Sequence, residues 1–187
     1  MPAFLYVKPE FFSQLPTGGD KKTGSFATPR TWAMVGQNLG YLKTQEAKTA
    51  LVAGLVGEGV ALEFGAFLML RNELASPADV LDNPKAAVPD LSKLNRPDKV
   101  IALITGLAEE AVERQNKGKK EAHIQLLKAL EHVTSRNREY IAVALSSYTA
   151  QGGSNQKLIR AAQKAIKGGD QGVKDLIQFL SNALRGS

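Results

Sequence analysis

Cysteine is absent from the 187-residue chain, which excludes disulfides, zinc ribbons and thiol nucleophiles but does not settle the compartment. Aromatic residues make up only 6%, a composition that suits helices packed through Leu, Ala, Val and Ile. No run is apolar enough, over enough residues, to span a bilayer, so no membrane partner is expected. The leading residues Met1-Pro2-Ala3-Phe4-Leu5-Tyr6-Val7 carry no basic leader, and no small-residue cleavage site closes them. That makes a poor signal peptide and sets a cytoplasmic location as the expectation. Strand signals are weak throughout.

Catalytic signatures are missing too. There is no G-x-x-x-x-G-K-[ST] run to cradle phosphates and no hydrophobic strand ending in paired acids to hold magnesium. Gly57-Glu58-Gly59-Val60-Ala61-Leu62 imitates a dinucleotide loop, but Leu62 replaces the third glycine and a helix precedes it. No G-x-S-x-G supplies a serine nucleophile. His123 and His132 are nine positions apart, about 180° around one helix, and cannot jointly grip a metal. Exposed carboxylate pairs such as Glu109-Glu110 fit a solvated face. The isolated chain is therefore expected to be no enzyme, with no catalytic residue, no metal site and no cofactor of its own.

What is present has helical spacing nearly everywhere, predicting an all-α protein. Ala3 to Leu15 forms the first segment, and Pro9 should end or kink it. A polar loop with Gly18, Gly19 and Gly24 spans Pro16 to Ser25. Thr28-Pro29 is a strong helix start: Thr28 caps a free N–H, and proline suits the first helical position. Trp32, Val35 and Leu39 then line one face. A second helix over Glu46–Val56 stops at Gly57. Val60 to Leu74 is apolar on nearly all sides and reads as a buried central helix. Ser76-Pro77-Ala78-Asp79 reads as a capped helical turn, with Asp in place of the capping-box Glu or Gln.

Residues 83–97, with Pro84, Pro89 and Pro97, give the best internal boundary. Beyond them come five amphipathic segments, carried by Val100–Ala111, Ile124–Leu130, Ile141–Tyr148, Leu158–Ala165 and Val173–Leu184. Gly152-Gly153 and Gly168-Gly169 end the third and fourth. Their loops are short, so neighbours should pack antiparallel. The expected organisation is a helical domain over 1–82, a Pro-containing linker over 83–97 and a helical extension over 98–187.

Charge points to partners only weakly. With 24 basic and 18 acidic residues the net charge is +6, which nucleic acid or an anionic surface could exploit. The densest cluster, Lys117, Lys119 and Lys120, reads first as a solvated inter-helix turn and second as a phosphate-contacting patch.

Two runs carry a resemblance. Thr28-Pro29-Arg30-Thr31-Trp32 resembles the Pro-Arg-Ser-Trp pattern at the start of a lid helix in MoxR-like, dynein-related AAA+ ATPases, with Thr31 where Ser is frequent. Gly54-Leu55-Val56-Gly57-Glu58-Gly59-Val60-Ala61-Leu62-Glu63-Phe64 resembles the helix end, glycine hinge and apolar helix of that lid. The resemblance covers roughly residues 1–80. It implies a helical AAA+ lid in which Arg30 is the sensor 2 arginine that reaches the γ-phosphate, with Thr28, Pro29 and Trp32 structural beside it. It implies ATP and Mg only in the context of a complete AAA+ core. It also implies ring neighbours as partners, a von Willebrand A-domain protein in some complexes, and a chaperone-like role in remodelling clients.

The physical logic agrees. A cation in the first turn of a helix opposes the helix dipole, and a bound phosphate supplies the compensating charge. Such a charge-assisted contact is worth roughly 1.5–3 kcal/mol. The competing reading makes Arg30 an exposed helix-start residue paired with a nearby acid. Trp32, the single tryptophan, reads as a packing anchor, with nucleotide stacking as its remote alternative. The helix resembling the lid's first begins at Met1 here, so the chain reads as a tail without its engine: a truncated frame, a split gene or a misplaced start. The alternative reading is a standalone basic helical binding module, a protein adaptor or a weak nucleic-acid binder.

Overall fold

The computed structural model describes residues 2–15 and 24–185, and every regular element among them is helical. Most of the expected loop over Pro16–Ser25 lies outside the described residues, as does the side chain of Leu184. The chain divides into two compact units, Met1–Glu73 and Leu74–Ser187.

The first unit contains α1 (Pro2–Val7), a 3-10 turn (Pro9–Phe11), α2 (Pro29–Leu39), α3 (Gln45–Val56) and α4 (Glu58–Glu73). Pro9 does end α1, since it cannot donate the helical N–H. α3 is capped by Thr44, whose side chain accepts from the Ala47 N–H at 3.2 Å. Gly57 separates α3 from α4 with φ of +105°, and a Cβ there would sit 2.9 Å from the Ser25 carbonyl oxygen. Only glycine fits both demands. The Ser25 hydroxyl also donates to the Gly54 carbonyl, so the segment before α2 is strapped across the α3–α4 break.

The core of this unit is aromatic. Phe4 stacks on Phe11 with centroids 5.9 Å apart and meets Phe64 edge-on at 5.3 Å and Phe67 at 5.7 Å. α4 departs from the expectation of all-round burial. Val60, Phe64 and Phe67 are buried, but Leu62 is 73% and Met69 63% exposed, with exposed Ala66 between them. Apolar composition alone made that helix look central; among the described residues of its unit, only one of its faces is covered.

The second unit contains α5 (Pro77–Asp82), α6 (Pro84–Ala87), a 3-10 turn (Leu91–Leu94), α7 (Pro97–Asn116), α8 (Ala122–Val133), α9 (Tyr140–Ala150), α10 (Asn155–Lys167) and α11 (Gln171–Arg185). α7 is the hub, packed by α5, α8 and α9, while α10 and α11 lie on α8. Leu103, Ile104, Leu107, Leu126, Leu130 and Ile141 form its fully buried centre.

The boundary therefore falls after Glu73, not at 83–97, and the expected lid-like domain over 1–82 loses its last stretch to the second unit. The 83–97 segment is no free linker. Val80, Leu81 and Val88 are buried in the second core, with Leu91 and Leu94 packed against it. Pro84 and Pro97 occupy the first helical position of α6 and α7, where a missing N–H costs nothing. Ser76 precedes α5 as expected but makes no side-chain capping bond.

Arg114 ties α5 to α7. Its guanidinium donates to Asp82 Oδ1 at 2.6 Å, Glu110 Oε1 at 2.8 Å and the Ala78 carbonyl at 3.0 Å. That fork holds the Asp82 carboxyl below its usual range. At the end of α9, Gly152 takes φ of +88°, and a Cβ on Gly153 would lie 2.4 Å from the buried Tyr148 ring.

Candidate functional site

α2 presents Arg30 on a rigid start. Thr28 and Thr31 form a reciprocal capping box: the Thr31 N–H donates to Thr28 Oγ1 at 3.1 Å, and the Thr28 N–H donates to Thr31 Oγ1 at 2.9 Å. Pro29 fills the first helical position. One step on, Trp32 is 1% exposed, and its Nε1–H donates to the Phe11 carbonyl at 2.7 Å. It also meets Phe4 and Phe64 with centroids 5.7 and 6.3 Å apart. The indole is a packing anchor enclosed in the aromatic core, with no open face for a base.

Arg30 itself is exposed. The first turn of α2 holds no acidic residue, and Arg30 has no ion pair among the described residues. A guanidinium thus stands at the positive end of a helix dipole without an anion among the described residues. Among the described residues, the acid-paired reading of Arg30 has no acid to support it. Thr28, Pro29, Arg30 and Trp32 are brought together as one unit in which three residues fix the backbone and the fourth points to solvent.

The basic cluster at the end of α7 divides. Lys117 pairs with Glu113 at 2.5 Å, which raises the lysine pKa and lowers that of the carboxyl. Lys119 and Lys120 instead line a groove with α10. Sequence reasoning grouped all three by proximity in the chain and did not bring in Lys157, Arg160 or Lys164.

The two histidines go to different partners. His132 Nε2 meets the Val88 carbonyl at 2.9 Å. His123 Nε2 meets Gln115 Oε1 at 3.0 Å, and the same oxygen accepts from the Tyr148 hydroxyl at 2.9 Å and the Ser154 N–H at 3.1 Å. Because Ser154 N–H must donate, that Gln115 atom is the acceptor and His123 carries its proton on Nε2. Burial, then the nearby Lys157 charge, pushes the His123 pKa below its ordinary 6.5.

A depressed histidine pKa means the unfolded chain binds the proton more readily, so stability is full above pH 6.5 and declines as pH falls through the folded value. Thermal melts of the wild type should therefore begin to drop below about pH 6.5, ahead of the carboxylate losses near pH 4. The same series on His123→Gln should lack that first decline; an unchanged profile would remove His123 as its source.

Compared with protein-family models, curated proteins and solved structures, the chain finds no match.

Proposed function

We propose that residues 1–73 serve as the C-terminal helical lid of a MoxR-like AAA+ ATPase, with Arg30 as its nucleotide-sensing arginine. The observation that carries this reading is the exposed Arg30 guanidinium, without an acidic partner among the described residues, held at a capped helix start. A γ-phosphate presented by a nucleotide-binding core would supply the missing anion, with forked N–H donors suited to its oxygens. The exposed Leu62, Ala66 and Met69 stripe of α4 adds support, because a lid belonging to a larger ring has apolar surface reserved for its neighbours. ATP and Mg would be bound by that core. The lid would pass nucleotide state to ring neighbours and bound clients, with a von Willebrand A-domain protein among the expected partners, in the cytoplasm.

The test starts in the coding DNA upstream of Met1, read in all frames. A P-loop and an acidic strand running into this frame are expected; a stop codon, a ribosome-binding site and no nucleotide-binding core nearby would overturn the reading. In the joined chain, Arg30→Ala should slow ATP turnover about 10- to 150-fold, the equivalent of one charge-assisted contact of about 1.5–3 kcal/mol. Helix content should stay unchanged, since the exposed Arg30 side chain packs nothing. Turnover within twofold of wild type would remove Arg30 from the role.

A further inference from the structure

An open groove of about 1010 Å³ lies in the second unit, between α8 and α10. One rim carries Lys157, Arg160 and Lys164 of α10; the other carries Lys119, Lys120 and Lys128. All are exposed, and among the described residues only Lys128 has an ion pair, with Asp170 at 3.6 Å. Glu121 and Asp170 are the only acidic residues lining the groove, so its walls hold most of the chain's +6 excess.

α10 contributes cations at spacings of three, four and seven, and Asn155–Lys167 contains no acidic residue at all. Like charges at those spacings repel along one helix face. Among the described residues, no ion pair neutralises Lys157, Arg160 or Lys164, so the arrangement favours an anionic occupant from outside.

The floor decides which anion. It is apolar, made by half-buried Ile124, Ala161 and Ala165. No Phe, Tyr or Trp lines the groove, and its one aromatic lining residue, His123, is buried, bonded to Gln115 and packed against Tyr148, so no open ring face is offered for stacking a base, as single-stranded nucleic-acid channels require. Its volume lies at the top of the ~300–1,000 Å³ range of small-molecule pockets, and it is open along the helices. Lys157 to Lys164 spans about two helical turns, roughly 10 Å.

From this combination we infer that the α8–α10 groove docks an acidic amphipathic helix of a partner protein. Leucine-type side chains spaced three and four apart would sit on Ile124, Ala161 and Ala165, and flanking carboxylates would meet the two rims. Charge complementarity of this kind speeds encounter and selects the partner. The inference is independent of the nucleotide-sensing reading of Arg30, because every residue it uses lies in the second unit.

The test is fluorescence anisotropy of the full chain against a labelled 16-residue helical peptide with Leu on one face and Glu elsewhere. Two comparators complete it: an all-Glu peptide of equal length, and a 16-nucleotide oligo-dT. Binding of the Leu/Glu peptide is expected to exceed both comparators, and to weaken about tenfold or more in the triple variant Lys157→Glu, Arg160→Glu, Lys164→Glu. The neutral triple Lys157→Gln, Arg160→Gln, Lys164→Gln should fall between, and guards against misfolding of the reversed chain. Absence of peptide binding at low salt would overturn the inference, as would equal affinity for the all-Glu peptide or indifference to both triples. Tighter binding of oligo-dT would replace it with nucleic-acid binding.

Discussion

Replacing Trp32 with alanine is expected to destabilise the 1–73 unit by about 3–5 kcal/mol, the cost typical of deleting a buried large aromatic side chain. The side chain is 1% exposed and joins three separate pieces of chain: Phe4 of α1, Phe64 of α4 and the Phe11 carbonyl of the 3-10 turn. Truncation leaves a cavity bounded by rings that cannot close on it, and it strips the Phe11 oxygen of its donor. Trp32→Phe separates the two effects. It keeps one aromatic ring in the pocket while removing the N–H, so beyond the smaller packing loss it leaves the part-buried Phe11 carbonyl without this donor, a cost of up to about 1–3 kcal/mol. Because Trp32 is the single tryptophan, wild-type indole emission follows this unit alone through urea unfolding. Amide exchange in α2 and α4 provides the same readout for both variants. If Trp32→Ala exchanged within fivefold of wild type, the indole would not be the anchor of this core.

The start of α2 was legible because its determinants are local. Thr28 and Pro29 act on backbone groups within one turn, so residue type and order suffice to place the helix and to set Arg30 at its start. The completion of the capping box by Thr31, in place of the usual Glu or Gln, was not legible, since a hydroxyl at that position does the job only in the right rotamer. What surrounds Arg30 was beyond reach as well. The absence of an acidic partner among the described residues depends on how the chain folds around the start of α2, which no motif states.

Reading failed where a residue's meaning depends on tertiary partners. The prolines of 83–97 looked like linker residues, yet Pro84 and Pro97 begin helices, and the aliphatic residues around them are core. Composition cannot tell a proline that interrupts from one that initiates. α4 gave the opposite error, because apolar residues on every side do not reveal which side is covered. The basic groove required both kinds of information. The cationic stripe of α10 follows from its sequence, but its placement opposite Lys119 and Lys120 follows only from how α8 and α10 pack.

The new boundary after Glu73 makes a second large effect expected at Arg114. Its side chain is 6% exposed and supplies donors to Asp82, Glu110, Gln125 and the Ala78 carbonyl, binding α5 to the end of α7. Arg114→Ala should destabilise the 74–187 unit by about 2–3 kcal/mol, at the upper end for charged hydrogen bonds with the packing of the aliphatic stem added. The full ~3–5 kcal/mol seen when a wholly buried pair is broken is not expected. Asp82 is 61% exposed and can regain water, which leaves Glu110 and the Ala78 carbonyl to carry the loss. Arg114→Lys is the sharper variant. An ammonium can satisfy one carboxylate but cannot reach along the fork to Asp82, Glu110 and Ala78 together, so it should recover less than half of the stability. The pH dependence has a defined sign. The Asp82 carboxyl is held below its ordinary 3.8, so the contribution is present above about pH 4 and disappears as pH falls through the lowered folded value. Urea titrations of wild type, Arg114→Ala, Asp82→Asn and the double variant at pH 7 and pH 3 measure this directly. A coupling between the two positions at pH 7 that is smaller at pH 3 is the expected result. No coupling at pH 7, or Arg114→Lys as stable as wild type, would mean that α5 is held to α7 by the burial of Val80 and Leu81 alone.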